Sequence, residues 1–151
     1  MTDAVRKLCR AIKANQPQAP VKFILMNSAG NRNRDLPEPI SLAQRCVLAI
    51  IRLLVPPHLD NERAAEFLRT EIGQHDPDIE WVIVRPDSLI DEIIVTDYEV
   101  FPSPTRSAIF NSGTTSRINV GHFMMDLVLD RDTWQRWKGK MPVIYNKPYS
   151  T

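Results

Sequence analysis

The sequence predicts an α/β fold, a partial doubly wound parallel sheet with helices on both faces, and three observations carry that reading. Ile79–Leu89, IEWVIVRPDSL, is an apolar run closed by a proline and a polar turn. Trp81, Val82, Ile83 and Val84 are β-branched or aromatic and uninterrupted by charge, the pattern of a strand covered on both sides. A second run of strand length, Val21–Met26 (VKFILM), precedes it, and a long helical stretch separates the two. Strands joined by a helical crossover are parallel, with a right-handed connection. Pro86 has no N–H to donate, so the later strand stops at about Arg85 and the chain turns out at its carboxyl end. In an open parallel sheet, ligands bind beyond that end.

The elements follow in order. Thr2 is a candidate N-cap for a helix to about Ala14, whose Val5, Leu8, Cys9 and Ile12 share one face. Pro17 and Pro20 close it, and the strand Val21–Met26 empties into the turn-rich Asn27–Leu36, NSAGNRNRDL. Ile40–Val55, ISLAQRCVLAIIRLLV, reads as a helix packed on two sides or an interface helix, stopped by Pro56-Pro57. It is short for a membrane span and carries Gln44, Arg45 and Arg52. Asp60 caps a helix over Asn61–Ile72 with Gly73 at its C′ position, and the organising strand comes next. Val95–Phe101 and Ala108–Asn111 read as short strands around the loop Pro102–Ser107. Asn119 reads as the N-cap of a helix through Leu129, Asp132–Lys138 extends or follows it, and Pro142–Tyr145 closes as a strand.

Composition is that of one soluble domain, residues 1–151, with 43% hydrophobic and 25% charged residues and a net charge of +1. No basic block points to nucleic acid, and no targeting segment opens the chain, so the expected setting is cytoplasmic, with neither nucleic acid nor membrane as partner. Cys9 and Cys46 lack the spacing of a disulfide or metal pair. His58 and Glu62 stand one helical turn apart but have no third ligand, so no metal site is expected. Trp134 and Trp137, three residues apart, read as one face packed on the domain.

Several segments, taken in order, resemble the atypical short-chain dehydrogenase/reductase family of NAD(P)H-binding proteins. They are Phe23-Ile24-Leu25-Met26-Asn27-Ser28, Arg63-Ala64-Ala65-Glu66, Trp81-Val82-Ile83-Val84-Arg85-Pro86, Ser116–Leu129 and GKMPVIYN at Gly139–Asn146. By resemblance the chain corresponds to the C-terminal half of that domain, beginning just before the family's fifth strand. The family grips the dinucleotide pyrophosphate on a Gly-rich turn. The five glycines here, at 30, 73, 113, 121 and 139, form no such motif. The first βαβ half is absent, so the chain is expected to be a single incomplete NAD(P)-binding-like domain.

The resemblance implies hydride transfer with NAD or NADP only in a longer form, on a small-molecule substrate that the sequence does not identify. Ser28 matches the family's active-site serine, and Asn27 and Ala29 would border the nicotinamide ribose. Pro86, Asp87 and Leu89 match the loop beside the carboxamide. Arg85 sits with them and has a structural alternative, bonding loop carbonyls at the strand end. Ser28 and Asp87 have turn-capping alternatives of their own. Aligning on Ala65-Glu66 puts His58 where the family's catalytic Tyr stands and Glu62 at its Lys, so Ser28 and His58 are the candidate catalytic pair. The alternative reading is a non-catalytic fragment that binds a partner, or a second copy, through an exposed sheet edge at Val21–Met26.

Overall fold

The computed structural model describes residues 1–38, 43, 47, 49, 50 and 56–148. Helix α1 (Thr2–Ala14) leads into strand β1 (Val21–Met26), and α2 (Pro56–Phe67) runs on through a π-helical turn, Leu68–Ile72. Strands β2 (Ile79–Pro86), β3 (Ser88–Ile90), β4 (Tyr98–Phe101) and β5 (Thr114–Ser116) follow. Helices α3 (Arg117–Leu129) and α4 (Arg131–Trp137) then precede strand β6 (Val143–Asn146). The main sheet has the order β1-β2-β6-β4, and β3 pairs with β5 in a separate ribbon. β1, β2 and β6 are parallel, and β4 runs antiparallel to β6.

β2 is the centre of the molecule because its pleat feeds two cores. Ile79, Trp81 and Ile83 point to one face and pack with Val5 and Cys9 of α1 and Ala64, Ala65, Leu68 and Ile72 from α2 and its continuation. Val82 and Val84 point to the other face, against Val120, Phe123 and Leu127 of α3 and Trp134 and Trp137 of α4. The two-residue period of a strand sends alternate side chains to opposite faces, so one apolar run nucleates both layers. β1 repeats the alternation, with Phe23 on the first face and Ile24 on the second. The doubly wound expectation is met, with helices on both faces.

The helix ends differ from the sequence expectation in instructive ways. α1 starts at Thr2 itself, and its cap comes from another helix: the Thr2 amide donates to Asp60 Oδ1 at 3.1 Å and its hydroxyl to the Asp60 carbonyl at 2.7 Å. Asp60 therefore lies inside α2, whose described part begins at Pro56 and Pro57. Proline suits a first helical turn, where its missing N–H has no intrahelical partner in any case. Gly73 closes the continuation at φ 71°, as expected of a C′ glycine. α3 is capped by Ser116, whose Oγ accepts the Asn119 amide at 3.3 Å, so Asn119 is a first-turn residue and not the cap. Ala108–Asn111 forms a turn instead of a strand, and Leu8 faces solvent. The expected helix over Ile40–Val55 and Cys46 fall largely or wholly outside the described residues. Among the described residues, no helix is long and apolar enough to cross a membrane.

Candidate functional site

The carboxyl ends of β1 and β2 lie side by side, and the loops leaving them stand where the sequence reading expected the crevice. The Asn27 amide bonds the Val84 carbonyl at 2.7 Å, and the Ala29 amide bonds the Pro86 carbonyl at 2.9 Å, so pairing continues past the last strand residue. This brings Asn27, Ser28 and Ala29 against Pro86 and Asp87. Asn27 is buried and turned away from the crevice: its Nδ2 donates to the Asn61 carbonyl at 3.0 Å, and its Oδ1 accepts from Asn31 Nδ2.

Ser28 and His58 converge on Gly30. A Cβ at Gly30 would stand 3.5 Å from His58 Nε2 and 3.6 Å from Ser28 Oγ, with no other atom of the described residues nearer than 4 Å beyond its chain neighbours. Both polar groups thus flank the niche left by the missing side chain of Gly30. Ser28 Oγ accepts the Gly30 amide at 3.2 Å, the local turn geometry a serine favours. His58 sits in the first turns of α2 with its Nδ1 buried and 3.5 Å from Glu62 Oε1. The i, i+4 spacing puts the two side chains on one helix face.

Arg85 supports the crevice without lining it. It is fully buried, and all five of its N–H groups are engaged inside the protein. Nε donates to the Met141 carbonyl at 2.7 Å and Nη1 to the Asn31 carbonyl at 2.7 Å. The Glu38 carboxylate takes Nη1 and Nη2 at 3.3 and 2.7 Å, and Nη2 also reaches the Pro102 carbonyl at 3.4 Å. These bonds are the structural role that the sequence reading held open for Arg85 beside cofactor contact, and they occupy every donor of its guanidinium. Glu38, which the sequence reading did not single out, is buried with it and also accepts the Asn33 amide at 2.9 Å. Together they tie the Asn27–Glu38 loop to β2 and to the start of β6.

Asp87 is half-buried, and burial pushes its carboxyl above the usual range, against the opposing pull of the Gly113 and Ser88 amides. Its Oδ2 accepts the Gly113 amide at 2.9 Å, the capping role open to it from sequence. Gly113 must be glycine, since a Cβ there would lie 2.4 Å from the ring of Tyr145. Leu89 pairs with Thr115 in the β3–β5 ribbon and is partly exposed beside the crevice. Thr115 donates to the Ile144 carbonyl at 2.6 Å and anchors that ribbon to β6. Neither Gly113 nor Thr115 was legible as a site neighbour, because only the fold brings them to Asp87. No group of three or more potential metal ligands occurs among the described residues.

No family model matches the sequence, and no curated protein does. Solved structures do match. A candidate NAD-dependent epimerase/dehydratase from Bacillus halodurans superposes with a TM-score of 0.58 at 19% identity, over 95% of this chain and 53% of its own. A short-chain dehydrogenase/reductase from Veillonella parvula, solved in complex with NADP, gives 0.53 at 18% identity over 84% and 54%. A Rossmann-fold NAD(P)-binding family protein from Shigella flexneri gives 0.50 at 20% over 97% and 58%. The fold is that of part of a Rossmann domain. This partial Rossmann domain spans about half the length of the solved structures it matches. The loops leaving β1 and β2 lie beyond the carboxyl ends of parallel strands, where such sheets bind their ligands.

Proposed function

We propose that this chain is the nicotinamide-side half of an NAD(P)H-dependent oxidoreductase-like domain. The observation that carries the reading is the convergence of Ser28 Oγ and His58 Nε2 on the Gly30 niche, at the carboxyl edge of a partial Rossmann sheet. The residues fit one end of a dinucleotide and not the other. Loops at Asn27–Gly30 and Pro86–Leu89 would border the nicotinamide and its ribose, with Arg85 and Glu38 holding the first loop in place. No glycine-rich turn in these 151 residues is arranged to receive a pyrophosphate. When bound, NAD or NADP would supply the hydride. This chain's part is to orient the ring and to hold or move a proton at Ser28 and His58.

The test uses the half of the cofactor that the crevice would take. Nicotinamide mononucleotide, titrated into the ¹⁵N-labelled chain, should shift the backbone amides of Asn27–Gly30 and Asp87–Leu89. Those shifts should vanish in Gly30→Ala, which fills the niche while leaving the fold intact. Shifts confined to other surfaces, or none at millimolar ligand, would overturn the reading.

A second reading rests on the sheet edge. Among the described residues β1 is an end strand of the main sheet, with Val21 and Met26 more than a third exposed. An apolar end strand with a free edge is a pairing surface. Under that reading the chain binds a partner, or a second copy, by strand addition, and sedimentation would show a dimer that Met26→Lys, at an exposed position of the strand, abolishes.

A further inference from the structure

The main sheet ends at β4 as well as at β1, and the β4 end carries a groove. Among the described residues β4 pairs with β6 on one side and with no strand on the other. The two run antiparallel with Glu99 opposite Tyr145 and Phe101 opposite Val143, and the Lys147 amide bonds the Asp97 carbonyl at 2.8 Å. In an antiparallel ladder alternate residues exchange bonds with the neighbour. Asp97, Glu99 and Phe101 therefore face β6, and the backbone groups of Tyr98 and Val100 point outward. The side chains of Tyr98 and Val100 pack on the core beneath α3 and α4. Between this edge and those helices lies a cavity of about 360 Å³, walled by Tyr98, Val100, Phe123, Asp126, Arg136 and Trp137. An added strand uses both features: bonds to the open edge hold it, and a pocket receives its alternate side chains.

The charges select the strand that fits. Glu99 stands on the other face, with Tyr145 and Phe101, and is exposed with no ion pair among the described residues. A second copy pairing antiparallel through β4 would set the two Glu99 side chains face to face. Shifted to the next register that keeps the faces matched, it would set Asp97 against Glu99, and like charges directly opposite are destabilising. Shifted the other way, it would put Tyr98 opposite Pro102, which has no N–H to give. A basic residue opposite Glu99 removes the repulsion, and its two neighbours then stand over the cavity, because successive strand residues alternate faces. The Arg136 guanidinium lies over the Trp137 ring at 5.1 Å and also closes no ion pair among the described residues, so the cavity takes apolar side chains and not a second cation. A charge on a sheet edge guards against pairing; Glu99 turns away a copy of itself and admits a base. We infer that the β4 edge is a docking site for an extended peptide of another protein, with a basic residue opposite Glu99 and an apolar residue on either side of it entering the cavity.

The probes are two heptapeptides blocked at both ends: a central valine-lysine-valine between paired threonines, and the same peptide with glutamate for lysine. Each is titrated into the ¹⁵N-labelled full chain. The lysine peptide should bind several-fold tighter than the glutamate peptide, and Glu99→Lys should reverse that order. Glu99 is exposed, so the variant should keep the fold, which its spectrum checks. Methylating the two valine amide nitrogens removes the donors that face Tyr98 and Val100, and should abolish binding.

Hydrogen exchange locates the contact. Saturating lysine peptide should slow the Tyr98 and Val100 amides and leave those of Glu99 and Phe101, already turned to β6, unchanged. No binding of the lysine peptide, an affinity indifferent to the sign of the charge, or protection along β1 instead of β4 would each overturn the inference. None of these outcomes bears on Asn27–Gly30 or Asp87–Leu89, whose response to nicotinamide mononucleotide tests the cofactor reading separately.

Discussion

At the scale of single residues, the crevice depends on one buried ion pair. Arg85 and Glu38 are both withdrawn from water and hold the Asn27–Glu38 loop against β2 and β6. Removing one partner strands the other charge, so Arg85→Ala should lower stability by about 3–5 kcal/mol in urea unfolding. The double change Arg85→Met with Glu38→Gln should cost clearly less, and equal losses would mean that the pair matters only as packing. Gly30→Ala should behave in the opposite way. Gly30 has no left-handed φ, and the added methyl would meet Ser28 and His58 at ordinary contact distances. Its melting temperature should be unchanged or slightly raised, since losing glycine restricts the unfolded chain, while binding in the niche is lost. A destabilised Gly30→Ala would show that the niche is filled or strained.

At the scale of elements, the two long parallel strands were legible, and the short strands and the caps only partly so. Val21–Met26 and Ile79–Pro86 declared themselves because a buried parallel strand needs an unbroken apolar run, a signal local in sequence. The Asp60 cap on α1 bridges residues 58 positions apart, and no local pattern encodes it. Pro56-Pro57 can close one helix or open the next, and local chemistry alone does not decide. Asn119 and Ser116 are both good capping residues, and the structure selects Ser116 while spending Asn119 on Thr96 and Asn146. Ser116→Ala should therefore cost about 1 kcal/mol, with little loss of α3 length by hydrogen exchange. The same logic limited the site: Ser28 and Asp87 could be named from strand ends, whereas Glu38, Gly113 and Thr115 reach the crevice only through tertiary pairing.

β4 is fastened to α3 by a titratable contact. The Tyr98 hydroxyl lies 2.8 Å from His122 Nδ1 and donates to Asp126 Oδ2 at 3.2 Å. Burial, with the neighbouring Asp126 charge, pushes the phenol up to about 12. The unfolded phenol ionises near 10, so the unfolded state releases its proton first and stability falls as pH rises from about 10 to about 12. Tyr98→Phe should remove that part of the alkaline slope in pH-dependent denaturation, and an unaltered slope would place the titration elsewhere.

At the scale of the whole molecule, the sheet is built around β2, with two helical layers and an end strand at β1 that the described residues leave unpaired. The likeness to NAD(P)-binding structures covers about half of their length. A half-site of this kind should bind the nicotinamide end of a cofactor weakly and gain nothing from the adenylate end. The deciding measurement is calorimetric titration of the folded chain with NADPH and, in parallel, with reduced nicotinamide mononucleotide. Affinities for the two within a few-fold of each other, both in the millimolar range, are what the half-site predicts. Micromolar NADPH binding, a hundredfold or more above the mononucleotide, would mean that this chain grips the pyrophosphate after all and that the half-site reading is wrong.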